Sequence, residues 1–384
     1  MREVILANAR YWLRVLQAAA NDSPLPEADL RGAAKAIEAA LRMPDLWEIT
    51  RALARALHPY MEQRGFWADW DECLQVLAAR ARQQSDGQAE AEFLLRRGTI
   101  QRQRGDFGVA ALSCRAAWQC YRRADDRLGL AGVFSQLGDI YRLRGQFWRA
   151  EPLCVAAARF FDDGEHVREL AQAENRLGLI YFDRLCNPDA LPHLLRSEAL
   201  WRQAGDLHGL AKALHNLGEL HRRNRDFDKA LAYLEQAVQN YLAAGDEIYA
   251  ARARLNIGNV YLNQGDLSRA EATYLKAEAV LRRAGDSLDL ANARHNLGIV
   301  YTHLEVWNEA EACFARALEQ WRARGDTWQE ANTLNEMGML GMARGDRAQA
   351  KSCLDAAWEL LRGRSGARFE LLRQEIAGRR KLAD

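Results

Sequence analysis

The sequence contains no Gly-Lys dipeptide, and without one there is no Walker A phosphate loop. It has no Cys-x-x-Cys pair either, so neither a zinc site nor a disulfide framework is indicated. The seven cysteines, at 73, 114, 120, 154, 186, 313 and 353, are odd in number and widely scattered, as expected of reduced thiols in a cytosolic protein. No apolar run reaches the length of a membrane span. Residues 1–20 are apolar in patches but are cut by Arg10 and Arg14, which excludes a signal peptide and makes the cytoplasm the expected compartment. An excess of one charge is also missing. The 53 Lys and Arg residues are interspersed with 52 Asp and Glu, which argues against a dominant nucleic-acid or membrane-surface field. Lysine itself is scarce, confined to 35, 212, 229, 276, 351 and 381. No serine elbow, Cys/His motif or glycine-rich phosphate loop is present, so neither a catalytic residue nor a cofactor is assigned.

What the sequence has in abundance is repetition. Glycine recurs at 98, 138, 178, 218, 258, 298 and 338 without a slip. Alanine recurs at 91, 131, 171, 211, 251, 291 and 331, and again at 110, 150, 190, 230, 270, 310 and 350. Three small-residue columns at a fixed period predict a solenoid, in which each unit touches only its neighbours. Each unit reads as two amphipathic helices separated by Gly-Asp-like turns such as Gly105-Asp106, Gly205-Asp206 and Gly265-Asp266. Glycine supplies the left-handed residue that ends one helix, and aspartate caps the next. Arg225 and Glu305 replace that glycine, so those two turns are expected to close differently. Cys186-Asn187-Pro188 replaces another. Cys114 and Cys154 share a core column with Leu234, Tyr274 and Phe314, as small hydrophobes filling a seam.

The ends depart from the period. Residues 1–44 show helical periodicity broken around Ser23, Pro24 and Pro26 and ended by Pro44, and they read as a helical cap or adaptor. Residues 45–82 form a degenerate first repeat, with His58 in the glycine place, Trp70 in an alanine place, and Gly65 keeping register. The array extends over residues 45–365. After a break at Gly366, residues 366–384 supply a basic capping helix in which Gly378 falls in register again.

Ile257-Gly258, Tyr261, Ala270, Tyr274 and Ala277 match the columns of the tetratricopeptide repeat (TPR), as do Leu297-Gly298, Tyr301, Ala310, Phe314 and Ala317. The sequence therefore resembles TPR proteins of the long, forty-residue type, including the arrays of kinesin light chain and Pins-type adaptors and bacterial Rap-type receptors. Tyr11-Trp12, Leu30-Arg31-Gly32 and Pro44-Asp45-Leu46-Trp47 are similar to the helical region leading into the TPR sensor of bacterial signal-transduction ATPases. The resemblance implies an all-α fold: a right-handed α-solenoid, the TPR superhelix, of about eight helix-turn-helix repeats with helical caps at both ends.

It also implies a concave groove lined by the first helix of each repeat, where a protein or peptide partner lies. Carried onto this sequence, the groove takes Asn175 from one unit and Lys212, His215, Asn216, Glu219, Arg222 and Arg223 from the next. Arg252, Asn256, Asn259 and Asn263 follow, then Asn292, His295 and Asn296. Asn216, Asn256 and Asn296 match the asparagine-leucine-glycine pattern of long-repeat adaptors, in which a carboxamide pairs with a peptide bond. Bonds to neighbouring helices are the alternative use of these asparagines. Lys212, Arg222, Arg223 and Arg252 form the clear cationic cluster of this surface, suited to an acidic segment or a C-terminal carboxylate, or else simply a solvated basic face. His295 and His303, eight apart on one helix, make no compact metal motif.

The expected function is thus a non-catalytic, cytoplasmic scaffold or sensor that holds a protein or peptide. An excised sensor of a signal-transduction ATPase is the second reading, and a nucleic-acid groove a third that the mixed charge weighs against. Oligomeric state is open.

Overall fold

The computed structural model describes residues 1–19, 25–63, 66–364 and 367–383. The breaks and register positions expected at Ser23, Pro24, Gly65 and Gly366 lie outside the described residues. Everything regular within them is helical. Contacts divide the chain into two compact units, Met1–His193 and Leu194–Asp384. The first holds α1 (Arg2–Ala19), α2 (Glu27–Leu41), a 3-10 turn (Pro44–Leu46), α3 (Trp47–Gln63), α4 (Trp67–Gln83), α5 (Gly87–Gln103), α6 (Phe107–Arg123), α7 (Arg127–Leu143), α8 (Phe147–Phe161) and α9 (Val167–Asp183). Helix α10 (Asn187–Ala204) runs across the division. The second unit continues with α11 (Leu207–Arg223), α12 (Phe227–Ala243), α13 (Glu247–Gln264), α14 (Leu267–Ala284), α15 (Ser287–His303), α16 (Trp307–Arg324), α17 (Thr327–Ala343), α18 (Arg347–Leu361) and α19 (Ala367–Ala383). Consecutive helices pack as pairs, and first helices of adjacent repeats also touch, α5 on α7 and α7 on α9 in one unit, α13 on α15 and α15 on α17 in the other. This is the all-α repeat solenoid that the period predicts.

The glycine column explains the pairing. A Cβ on Gly258 would stand 2.7 Å from Cδ1 of Tyr274, sixteen residues on, closer than real Cβ atoms approach anything. The same clash would meet Cys114 from Gly98, Phe314 from Gly298 and Leu354 from Gly338. Glycine on the first helix thus lets the wedge residue of the second lie against bare backbone, and that wedge residue is fully buried in every case. Cys114 and Cys154 occupy this seam as the spacing predicts. Burial pushes both thiols up to about 12, which keeps them protonated and unreactive.

The turns differ from expectation in one respect. Gly265 has φ 78° and closes α13 with two backbone bonds, its own N–H to Leu262 and the Asp266 N–H to Tyr261. Arg225 and Glu305, expected to close their turns differently, adopt the same left-handed conformation at φ 62° and 61°. Their bonds are the same pair: Arg225 N–H to Arg222 and Asp226 N–H to His221, Glu305 N–H to Thr302 and Val306 N–H to Tyr301. Leu185 does likewise at φ 62°. The two backbone bonds and the packed repeats on either side outweigh the ~1–2 kcal/mol that a side chain costs in this region. Aspartate caps the following helix from Asp206, Asp266, Asp286, Asp326 and Asp346, whereas Asp106 and Asp226 hold the cap position without a side-chain bond.

At the amino-terminal end, α1 and α2 share one core with the first repeats: Leu16, Leu30, Ile37, Leu53, Trp70 and Phe93 belong to a single buried cluster. The degenerate repeat repairs its missing glycine chemically. His58, in the glycine place, accepts a hydrogen bond from Trp70 Nε1 at 2.9 Å, both side chains buried. At the other end Leu372 and Ile376 of α19 cover Leu354 and Leu361 of α18. Gly378, in register, has nothing within 4 Å of its would-be Cβ.

Candidate functional site

The first helices of the second unit present a line of amides tied to one another across repeats. Asn256 Nδ2 on α13 donates to His215 Nε2 on α11 at 2.7 Å. Asn259 Nδ2 donates to Asn256 Oδ1 at 3.2 Å. Asn259 Oδ1 in turn accepts from Asn296 Nδ2 on α15 (3.0 Å) and from the hydroxyl of Tyr274 (2.7 Å). The ladder thus spans three repeats and ends on the wedge aromatic that fills the glycine seam. It requires His215 neutral with Nε2 as acceptor, and burial holds its pKa below the usual histidine range. Asn256, Asn259 and Asn296 are half-buried, and Asn263, one turn further along α13, is exposed.

A second ladder runs from α15 to α17. Asn292 Nδ2 donates to Asp289 at 3.3 Å, and its Oδ1 accepts from Gln329 Nε2 at 3.0 Å. His295 is buried, its Nδ1 2.9 Å from Thr333 Oγ1. The Thr333 hydroxyl donates to the Gln329 carbonyl, so it accepts from His295 Nδ1–H, and His295 Nε2 is left to accept from Asn332 at 3.4 Å. Burial depresses the His295 pKa to about 4, which keeps the ring neutral. The expected groove histidines therefore tie helices together, and so do the asparagines at 256, 259, 292 and 296. Bonds to neighbouring helices, the alternative use of the column, account for much of their capacity.

The cationic cluster is more committed than its sequence suggests. Arg222 forks onto Glu219 at 3.0–3.2 Å one turn away on α11. Arg252 pairs with both Asp286 (2.9 Å) and Asp289, and its guanidinium lies 4.8 Å from the ring centre of Tyr249. Asp286 also caps α15, so Arg252 fastens α13 to the start of the next first helix. Lys212 is exposed at the head of α11, Asn216 is half-buried on the same helix, and Arg223 lies on its last turn. Asn175 is buried on α9 in the other unit.

That unit carries a constellation the sequence reading did not single out. Asp139 on α7 is buried and receives Arg142 at 2.9 Å and Arg102 of α5 at 3.1 Å. Arg142 reaches on to Asp183 of α9 at 2.5 Å. Arg176 of α9 donates to Ser135 of α7. Burial works against the charge on Arg142, but Asp139 and Asp183 outweigh it and hold the guanidinium pKa above its ordinary value; Arg176, with burial dominant, is held below. The signal in the sequence was register: Arg102 and Arg142 stand forty residues apart in one column, and Arg176 stands forty residues before Asn216, in the asparagine column itself.

Among the described residues, no group of three His, Cys, Asp or Glu side chains is placed to hold a metal, and no helix is long and apolar enough to cross a membrane.

The tetratricopeptide-repeat family model matches residues 169–243, 249–305 and 289–363. No curated protein matches the sequence. Solved structures share its fold at low identity. A Rap protein complexed with competence and sporulation factor superposes with a TM-score of 0.63 at 15% identity, covering 99% of this chain and 100% of that one. A signal-transduction ATPase with numerous domains and a tetratricopeptide-repeat sensor, from Pyrococcus horikoshii, gives 0.63 at 14% identity over 94% of this chain and 56% of that one. Aspartyl phosphate phosphatase F from Bacillus subtilis gives 0.61 at 12% identity over 90% and 98%.

Proposed function

For a chain that belongs to the tetratricopeptide-repeat proteins, we propose a non-catalytic role in the cytoplasm: a scaffold or sensor that holds a protein or peptide segment against its first helices. One observation carries this reading. The amides of Asn256, Asn259 and Asn296 are half-exposed and held in fixed orientation by bonds that run from repeat to repeat. A carboxamide oriented in this way loses little entropy when its remaining N–H or lone pair meets a peptide bond. Internal bonding therefore serves as preorganisation. The neighbour named as a Rap protein in complex with competence and sporulation factor supports binding as the use of this fold. The exposed cations Lys212 and Arg223 on α11 support an acidic segment or a terminal carboxylate as the partner chemistry, in preference to nucleic acid.

The test is capture of partners from the native cell by the intact chain and by a variant carrying Asn256→Ala and Asn296→Ala, followed by mass spectrometry. A partner retained by the first and lost by the folded second supports the reading; identical recovery removes it.

A second reading rests on the likeness to the sensor-bearing ATPase, of whose length this chain spans 56%. In it the array senses a ligand on behalf of a separate nucleotide-hydrolysing module. A phosphate-loop module encoded in the same reading frame would support it, and a frame that encodes no such module would remove it.

A further inference from the structure

Large apolar side chains stand exposed on two second helices of the first unit. Trp148 on α8 is 72% exposed, and on α6 Leu112 is 62% and Val109 49% exposed. One tyrosine joins the two helices. Arg115 Nη2 on α6 donates to the Tyr141 hydroxyl at 3.0 Å, and the Arg149 guanidinium on α8 lies 5.7 Å from the same ring. Leu112 is one turn from Arg115, and Arg149 lies 4.5 Å from the ring centre of Trp148, so both apolar side chains flank Tyr141. Register shows this to be a local departure from the repeat. Later copies put Lys229, Arg269 and Glu309 in the Val109 column. They put alanine at 232, 272 and 312 in the Leu112 column, and Asp228, Ser268 and Asn308 in the Trp148 column. So exposed a tryptophan adds little to the core, and grouped with aliphatic side chains it marks a contact surface.

Charge indicates what kind of partner fits. Helix α6 has no Asp or Glu, and α8 has one, Glu151, which accepts from Tyr181 at 2.8 Å and Arg184 at 2.7 Å. Against it stand five exposed arginines, Arg115, Arg122, Arg123, Arg149 and Arg159. None of them pairs with a carboxylate among the described residues. Helical spacing keeps Arg122 on the face of Arg115, and Arg159 on that of Trp148. A second copy meeting this surface through the same patch would set arginines against arginines, in a chain whose charges otherwise balance. Nucleic acid would answer the charge but leave Val109 and Leu112 uncovered.

We propose that α6 and α8 present a docking surface for an acidic amphipathic helix of a partner protein. Val109, Leu112 and Trp148 take its apolar stripe, and the arginines take the carboxylates that flank the stripe. A strand would bring backbone groups in need of a sheet edge, and the described residues contain none. The surface belongs to second helices and does not rest on the amide ladder, which belongs to first helices of the other unit.

The test selects a displayed library of random peptides for binding to the full chain, with counter-selection against a variant carrying Leu112→Ser and Trp148→Ser. Both positions are exposed, so the variant should unfold at the same denaturant midpoint as the parent. Clones that separate the two should carry apolar residues at helical spacing and a net negative charge. The best clone, made as a synthetic peptide, should become helical on binding and bind the variant at least tenfold more weakly. Arg115→Gln with Arg149→Gln should weaken it at least threefold at low salt, and Leu275→Ser on α14 should leave it unchanged. Selected clones of net positive charge, clones without the apolar stripe, or no clone that separates parent from variant overturn the proposal. So does tighter binding of oligothymidylate, or of phosphatidylglycerol vesicles, that the same two serines abolish. None of these outcomes touches the amide ladder, whose own test is capture by the asparagine variant.

Discussion

The ring of Tyr274 packs against Gly258, its Cδ1 2.7 Å from where a Cβ would stand, and its hydroxyl closes the amide ladder on Asn259. One residue pair therefore joins the packing of a repeat to its candidate binding face. Gly258→Ala forces the ring to move, at a cost of about 1–3 kcal/mol for overpacking, set against about 1 kcal/mol gained in helix propensity. Gly378→Ala meets nothing within 4 Å and keeps only the gain. Chemical denaturation midpoints should therefore fall for the first variant and rise for the second.

Arg225 and Glu305 carry side chains in left-handed backbone. Replacing either with glycine removes about 1 kcal/mol of strain, part of which is returned through the more flexible unfolded chain. Each variant should raise the thermal midpoint. Gly265→Ala, at φ 78°, should lower it by a comparable amount.

His295 titrates at about 4 in the fold, below its ordinary value. Below pH 6.5 the unfolded chain takes up a proton that the folded chain refuses, so its contribution is complete above that pH and is lost as pH falls toward 4. The loss approaches about 3 kcal/mol, at roughly 1.4 kcal/mol per unit. Urea midpoints measured from pH 7 to pH 4 should fall less steeply in His295→Gln than in the parent. Parallel curves would show that the ring is solvated.

Arg222 is paired with Glu219, and Arg223 follows it on the last turn of α11. Reversing both to glutamate should weaken capture of an acidic partner several-fold at low salt, with the difference shrinking as salt rises. Unchanged affinity in a calorimetric titration would take these two residues out of the binding face.

Packing was legible in the sequence because it repeats. Gly98 and Cys114, like Gly258 and Tyr274, stand sixteen apart in every copy, so the seam could be read from spacing alone. The turns at Arg225 and Glu305 were misjudged because residue identity reports the cost of a left-handed residue, while the backbone bonds and adjoining repeats that override it are not local. Polar groups were harder still. Asn256 looks like a free amide until His215, one repeat earlier, is seen to accept from it. Arg102 and Arg142 share one column, but Asp139 lies in another, and only the side-by-side packing of α5 and α7 brings both guanidiniums to it.

Placing a photo-crosslinking residue at Asn263, exposed on the first helix α13, and separately at Leu275, exposed on the second helix α14, tests the central claim most directly. After irradiation in the native cell, the account predicts a partner joined at 263 and not at 275, with the same adduct weakened by Asn256→Ala. Adducts at 275 alone, or equally at both positions, would contradict it.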